Sequence, residues 1–229
     1  MRQQNERQRV AATSQRSGAP TGGVRLADRA YTWIRDQIVT TRIAPGAPLD
    51  ESVLSSELGI GLTPIREALK RLTLERLAVI YPRRGTFATE INISDERWLT
   101  EVRMELEGLA AALAAQRASH EDCAELMALI EKAESSATLP ADFITLDTET
   151  HRRIYAIARN PYLEASLNQY ANLALRIWHY CLERMPARTL QSCNQRDVVQ
   201  AICDRDPDRA RAAAQEHLRS FSEEVRSLL

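Results

Sequence analysis

The chain has 229 residues, of which 44% are hydrophobic and 27% are charged, a composition typical of a globular protein with one or two domains. No apolar run approaches the roughly 18–20 residues needed to cross a membrane, and the Arg-rich start lacks the apolar segment of a secretory signal, so we expect a cytoplasmic protein. The net charge of −1 conceals an asymmetry. Residues 1–90 carry 14 Lys and Arg against 9 Asp and Glu, whereas residues 91–229 carry 16 against 22. A basic front on an acidic back is typical of a nucleic-acid-binding module joined to a regulatory module.

The first elements are a polar arm and one helix. Residues 1–23 are rich in Gln and Arg, and we predict that they form a disordered arm. From Val24 the apolar residues recur at helical spacing, which predicts a helix to about Thr41. The Pro- and Gly-containing segment 44–48 then ends that helix and turns the chain.

A second pair of helices carries a basic face. Asp50 is predicted to cap a short helix that ends at Gly59, and Thr63 is predicted to cap a longer helix that begins at Pro64. The apolar positions of the longer helix share one face, and its basic and hydroxyl side chains, Thr63, Arg66 and Lys70, lie roughly opposite. This geometry fits the DNA major groove, although a helical hairpin with a solvated charged face is an alternative.

A predicted β-hairpin follows these helices. After Leu77, two short β-prone runs flank the sequence PRRG, which places Arg83, Arg84 and Gly85 at the tip. Two arginines there could reach phosphates or the minor groove, and a glycine permits close approach of the backbone. Three helices and a basic hairpin form a winged helix-turn-helix, which favours DNA binding over the alternative.

Residues 25–90 resemble the DNA-binding domain of GntR-family transcription regulators in the stretches IAPGAPLDE, TPIREALKRL and RRGTFA. The resemblance implies operator contacts at the start of the recognition helix and at the wing. The family usually has a polar residue and an Arg where this chain has Gly61 and Leu62, and often an Arg where it has Ser52. These departures leave the operator sequence open. The matching contact residues are Thr63, Arg66, Arg84 and Gly85.

From Ser94 onward the sequence shows helical patterns and no strand pattern, which predicts a compact antiparallel helical bundle. Ser94 and Asp95 are predicted to cap the first of these helices. The predicted helices span about 94–118, 120–137, 140–158, 161–185, 188–205 and 207–228.

Four polar side chains lie on the predicted buried faces of three of these helices: Asp147, His151, Gln195 and His217. Buried polar groups cost about 1–3 kcal/mol each when they have no partner, so these four should meet each other, a ligand or a metal. The i, i+4 spacing of Asp147 and His151 suits a divalent ion of the zinc type. A hydrogen-bonded core network is the alternative.

Residues 94–229 resemble the FCD-type effector-binding and dimerisation domain of the FadR branch of the GntR family. The matching stretches are EVRMELEGLAAALAA, the D-x3-H in LDTETHRRIYAIARNPYL, and AICDRDPDRARAAAQEHL. The resemblance implies a metal held by Asp147, His151 and His217, weakened because Gln195 stands where the family usually has a fourth ligand, a histidine. It also implies that Arg103 binds a small carboxylate effector, for which an exposed, snorkelling arginine is the alternative. We predict that Gln195 is a second effector-binding residue.

Together these patterns predict a mainly α fold, in which a winged helix-turn-helix precedes an all-α antiparallel helical bundle. We predict a disordered arm at 1–23, a DNA-binding domain at 24–91 and an effector-binding and dimerisation domain at 94–229. The predicted function is that of a homodimeric transcription regulator rather than an enzyme, with double-stranded DNA and a small organic acid as partners. The alternatives are a metal-dependent hydrolase built on the bundle and an effector-independent DNA-binding protein.

Overall fold

A computed structural model describes residues 25–135, 140–181 and 195–227. The predicted arm, the end of the helix predicted at 161–185 and the start of that predicted at 188–205 lie outside these ranges. In the described parts of the chain, no helix is long and apolar enough to span a membrane. The elements are α1 (Leu26–Val39), α2 (Glu51–Leu58), α3 (Leu62–Leu74), β1 (Ala78–Tyr81), β2 (Gly85–Ala88), α4 (Ile93–Arg117), α5 (His120–Ser135), α6 (Pro140–Ile157), α7 (Pro161–Cys181), α8 (Arg196–Cys203) and α9 (Pro207–Ser227).

The first three helices and the hairpin share one small core. Asp50 Oδ1 accepts hydrogen bonds from the backbone of Ser52 and Val53, and Gly59 ends α2 in the left-handed conformation, at φ 63°. The strands pair antiparallel from Ala78 opposite Ala88 to Tyr81 opposite Gly85. The predicted winged helix-turn-helix is therefore confirmed. Its fully buried side chains include Ile34, Ile38, Ile65, Leu72 and Leu77.

Two predicted helix caps are wrong. α3 begins at Leu62 after an extended Gly61, so Thr63 lies inside the first turn and no side chain caps the helix. The N-cap of α4 is Asn92, whose Oδ1 accepts from Ser94 N at 3.0 Å. In both cases a residue closer to the N-terminus, Gly61 or Asn92, has the extended conformation of an N-cap, so each helix begins earlier than predicted.

The remaining helices form the predicted all-α bundle around α4, which packs along α9 and also contacts α6, α7 and α8. α4 and α9 lie close together at Gly108. A Cβ there would lie 3.2 Å from the Cγ atoms of Arg211 and Gln215, so an alanine would require these two side chains to shift by a few tenths of an ångström. The mainly α fold class is confirmed.

Helix α7 joins the two halves of the chain. Leu173 and Leu175 pack against the core of the winged module, and Arg176 Nη1 donates to Thr89 Oγ1 at 2.6 Å. Arg176 Nη2 also donates to the carbonyl of Thr89, the residue that follows β2. One bundle helix therefore holds the winged module through apolar packing and through a bidentate arginine contact.

Candidate functional site

The exposed face of α3 carries the side chains that the sequence singled out. Thr63, Arg66 and Lys70 are exposed, whereas the opposite face is buried in the core of the winged module. Because no side chain caps α3, its first backbone N–H groups are not taken up by a cap and are suited to an anion such as a phosphate. The exposed residues include Gly61 and Leu62, the two departures from the family pattern.

Arg66 has a partner that the sequence reasoning missed. Its Nε lies 2.6 Å from Oε2 of Glu51, the first residue of α2, while its side chain remains 57% exposed. An ion pair at this exposure is worth only about 0–1 kcal/mol, so DNA can replace it. The pair joins the start of α2 to the first half of α3.

The hairpin tip exposes Pro82, Arg83, Arg84 and Gly85. Arg83 and Gly85 adopt positive φ angles of 64° and 103°, and Arg84 N closes the turn on the carbonyl of Tyr81 at 3.0 Å. A Cβ at Gly85 would meet open space, so lack of room does not require a glycine here. The positive φ angle does, because other residues rarely adopt it. Since α3 packs against β1, both basic groups belong to one module. The sequence-predicted DNA-contact residues are all exposed: Thr63, Arg66, Lys70, Arg83, Arg84 and Gly85.

Inside the bundle, the structure brings together the four predicted polar side chains. His151 Nε2 lies 3.3 Å from His217 Nε2 and 3.6 Å from Asp147 Oδ2, and His217 Nε2 lies 3.9 Å from Asp147 Oδ1. Gln195 precedes α8 as its N-cap residue rather than lying within a helix, and its Nε2 donates to Asp147 Oδ1 at 2.5 Å. All four side chains are buried.

Arg103 and Glu107 complete this cluster, and Glu107 was not predicted. Arg103 Nη2 lies 2.7 Å from Glu107 Oε1, and His151 Nδ1 lies 2.7 Å from Glu107 Oε2. The exposed alternative for Arg103 is therefore wrong, because this side chain is buried while Val102 is 43% exposed. The apolar spacing of this helix predicted a buried stripe with Arg103 only at its edge, formed by Leu99, Val102, Leu106, Ala110 and Leu113. The buried face of α4 is rotated relative to that stripe. The i, i+4 spacing of Arg103 and Glu107 was the signal available in the sequence.

Burial and charge fix the protonation of the cluster. Burial alone would raise the pKa of Glu107, but Arg103 and His151 outweigh it and hold that pKa below its usual value. Burial lowers the pKa of His217 to about 4, so its imidazole is neutral near pH 7. For His151 the attraction of Glu107 and Asp147 overcomes burial and raises the pKa. With Nδ1 directed at Glu107, His151 turns Nε2 towards Asp147 and His217, as metal-binding histidines commonly do.

The cluster offers a metal ion three converging ligands. One donor atom each from Asp147, His151 and His217 lies within 4.8 Å of the others. Three such ligands and an open position fit a divalent ion of the zinc type. Gln195 directs its amide nitrogen, which cannot bind a metal, at Asp147 and so competes for a ligand oxygen.

A cavity of about 30 Å³ adjoins the cluster, enough for about one water molecule. Its walls include Arg103, His151 and His217, and on the other side Trp178 and Phe221, whose rings stack with centroids 3.7 Å apart. A cavity of this size is too small for an organic acid, so binding one would require the lining side chains to move apart.

Two family models match the two halves of the chain. "Bacterial regulatory proteins, gntR family" matches residues 26–88, and "FCD domain" matches residues 98–220. The chain belongs to the GntR family of bacterial regulatory proteins. It is a DNA-binding transcription regulator with an FCD domain, which confirms the predicted family and agrees with the prediction that the protein is not an enzyme.

Characterised relatives cover most of the chain. The HTH-type transcriptional repressor RspR of Escherichia coli strain K12 is 26% identical over 200 residues, which span 86% of this chain and 88% of the relative. The Nta operon transcriptional regulator of Aminobacter aminovorans is 28% identical over 192 residues, spanning 83% and 90%. The solved structure of E. coli McbR/YncC superposes with a TM-score of 0.80 at 23% identity, covering 90% of this chain and 99% of that one, and supports the fold.

Proposed function

We propose that the protein is a homodimer whose operator binding is controlled by a small carboxylate effector bound in the interior cluster. The observation that carries this proposal is the buried guanidinium of Arg103, which lines the same cavity as Asp147, His151 and His217. Most buried arginines are neutralised and closed off by packing, whereas Arg103 retains a cavity and three further polar groups beside its single carboxylate partner.

A carboxylate is the ligand that this chemistry favours. An arginine has five N–H donors in a planar fork, and Glu107 Oε1 uses the Nε and Nη2 atoms of Arg103. Donors remain for a second carboxylate, which would bind with charge-assisted hydrogen bonds in a site closed to water. A divalent ion held by Asp147, His151 and His217 would add positive charge beside that carboxylate.

The route from this cluster to DNA runs through α7. Trp178 lines the interior cavity, and two residues earlier Arg176 holds Thr89 of the winged module. A ligand that displaces Trp178 would therefore shift the helix on which the winged module packs. To move the equilibrium between two arrangements from 1:99 to 99:1, the effector must favour one of them by about 5.5 kcal/mol.

On DNA, we propose that two copies place their α3 helices in successive major grooves of a two-fold symmetric operator. Arg66 and Lys70 would contact bases or phosphates, Thr63 and the first turn of α3 would contact phosphate, and Arg83, Arg84 and Gly85 would follow the backbone or the minor groove. The exposed positions of these residues support this arrangement. Operator DNA lies in the bacterial cytoplasm, where we propose that the protein acts.

The test combines a ligand screen with operator binding. Small organic acids that raise the melting temperature would be tested for their effect on binding to a duplex selected from random DNA by the wild-type protein. We expect Arg103→Ala to retain operator binding and to lose the effector response, whereas Arg97→Ala, at an exposed position of the same helix, should retain both. The charge-balanced double variant Arg103→Met with Glu107→Gln guards against misfolding of the single variant.

The proposal fails if no organic acid stabilises the protein, or if the double variant responds to a stabilising acid as the wild type does. Sedimentation velocity tests the homodimer separately. A monomer at the concentrations that saturate the operator would contradict that part.

A further inference from the structure

A groove of about 730 Å³ lies between the winged module and the bundle, and it is separate from the interior cluster. One wall comes from the end of α3 and the segment after β2, and the other comes from α4 and α7. Its volume falls within the range of small-molecule sites, about 300–1,000 Å³, whereas the cavity beside the cluster has about 30 Å³.

Arg176 lines this groove as a buried cation that forms no ion pair with any described residue, although the exposed carboxylate of Glu90 lines the same groove. The residue is 3% exposed, and no carboxylate oxygen in the described parts of the chain lies within 4.0 Å of its guanidinium nitrogens. Two of its nitrogens bind Thr89, and its Nε is buried without a hydrogen-bond partner. Burial lowers the pKa of Arg176 to about 10, and Glu90 offsets that effect only in part. Buried charges are ordinarily paired, because leaving one unpaired costs several kcal/mol.

The rest of the groove is mixed, because Arg76 and the carboxylates of Glu90 and Asp95 line it together with apolar side chains. Leu74, Trp98 and Val102 line it and are 81%, 60% and 43% exposed. Three large apolar side chains exposed along one groove, beside a buried cation, form the mixed surface that an amphipathic anion would cover.

We propose that this groove is a second ligand site, which binds a small organic anion through Arg176 and holds the apolar body of that anion against Trp98 and Val102. The site does not depend on the effector site at Arg103. Arg176 also donates to Thr89 and so links α7 to the winged module. An anion bound to Arg176 changes the strength of this link, because it either competes with Thr89 for the guanidinium or holds the guanidinium in place. Binding in the groove is therefore coupled to the position of the DNA-binding helices, and by linkage DNA alters the affinity for the anion.

The test uses anilinonaphthalene sulfonate, an aromatic anion, with the uncharged N-phenylnaphthylamine as its matched probe, both on the full-length protein. We expect saturable binding of the sulfonate, measured by the rise in the fluorescence of the probe itself. Arg176→Met should weaken sulfonate binding at least about tenfold and leave the uncharged probe unchanged, whereas Arg219→Met, at an exposed arginine of α9, should change neither.

A second pair of variants guards against loss of the fold in Arg176→Met. Val102→Glu and Val102→Gln replace a half-exposed valine with two side chains of the same shape, of which only glutamate is charged. Only the glutamate variant should therefore repel the sulfonate. The proposal is overturned if the sulfonate does not saturate, if Arg176→Met binds it as the wild type does, or if the two Val102 variants bind it equally. An interior effector would still act through Arg103 in Val102→Glu, so the two ligand-site proposals fail separately.

Discussion

The side-chain amide of Gln195 donates to Oδ1 of Asp147 at 2.5 Å and to the backbone carbonyl of the same residue at 3.1 Å. A carboxylate that would otherwise need a cation is thereby satisfied by a neutral donor. The cluster of Asp147, His151 and His217 can therefore persist as a hydrogen-bonded network, while retaining three ligands for a metal ion.

This contact predicts a gain of metal affinity in Gln195→His. The substitution removes the amide that competes for Asp147 and supplies a fourth ligand, so we expect zinc to bind at least about tenfold more tightly than to the wild type. Competition with a fluorescent chelator measures the affinity of dialysed protein. Gln116→His, at an exposed position of α4, is the control. Equal zinc affinity in the wild type and Gln195→His would contradict the assignment of Gln195 to this site.

The Arg103–Glu107 pair predicts a large loss of stability in Glu107→Gln. This variant keeps the shape of the side chain but leaves the buried guanidinium without its counter-charge, so we expect a loss of about 3–5 kcal/mol in the free energy of unfolding. The exposed neighbour Glu105 provides the control, since Glu105→Gln should change stability by less than about 0.5 kcal/mol. Urea denaturation measures the free energy of unfolding of both variants. If Glu107→Gln were as stable as Glu105→Gln, the charge of Glu107 would not contribute to stability.

The winged module has its own pH dependence. Tyr31 Oη donates to Glu75 Oε2 at 2.7 Å, and burial followed by Glu75 raises the pKa of Tyr31 from 10.0 to about 12. The folded state therefore retains a proton that the unfolded chain loses. This contribution is complete below about pH 10 and is lost as the pH rises to about 12.

We expect the stability advantage of the wild type over Tyr31→Phe to fall by up to about 2 kcal/mol across that interval. Urea denaturation of both proteins at matched pH values measures it, and the other titrating groups cancel in the difference. A constant difference between the two proteins would mean that Tyr31 ionises equally in the folded and unfolded states.

The wing predicts an electrostatic contribution to DNA affinity. If Arg83 and Arg84 contact phosphates, Arg83→Ala and Arg84→Ala should each reduce the slope of log affinity against log salt by about 1, and they should weaken binding similarly on different sequences. Fluorescence anisotropy over a salt series measures the slopes. If a variant had the same slope as the wild type, the arginine concerned would not contact phosphate.

Local patterns in the sequence predicted the elements and the main faces of the helices. Asp50 and Gly59 mark the ends of α2 because capping is decided within a few residues. The start of α3 was misplaced because glycine and threonine are similarly favoured at the N-cap, and here Gly61 rather than Thr63 adopts the extended conformation that begins the helix.

Contacts between distant residues account for what the sequence left out. Arg176 and Thr89 are 87 residues apart, and Glu51 and Arg66 belong to different helices, so periodicity within one element could not predict either pair. The pairing of Arg103 with Glu107 was accessible in principle, but the predicted stripe placed Val102 inside and left Arg103 at its edge. A small rotation of α4 separates these two arrangements.

The central claim is that the cationic face of α3 lies against DNA, and Arg66→Ala tests it most directly. A good arginine–base contact is worth about 1–3 kcal/mol, so the affinity for a duplex selected by the wild-type protein should fall by about tenfold or more. Arg219→Ala, an exposed arginine far from α3, should bind as the wild type does. If fluorescence anisotropy finds that Arg66→Ala binds the selected duplex with the affinity of the wild type, the proposed DNA-binding surface is wrong.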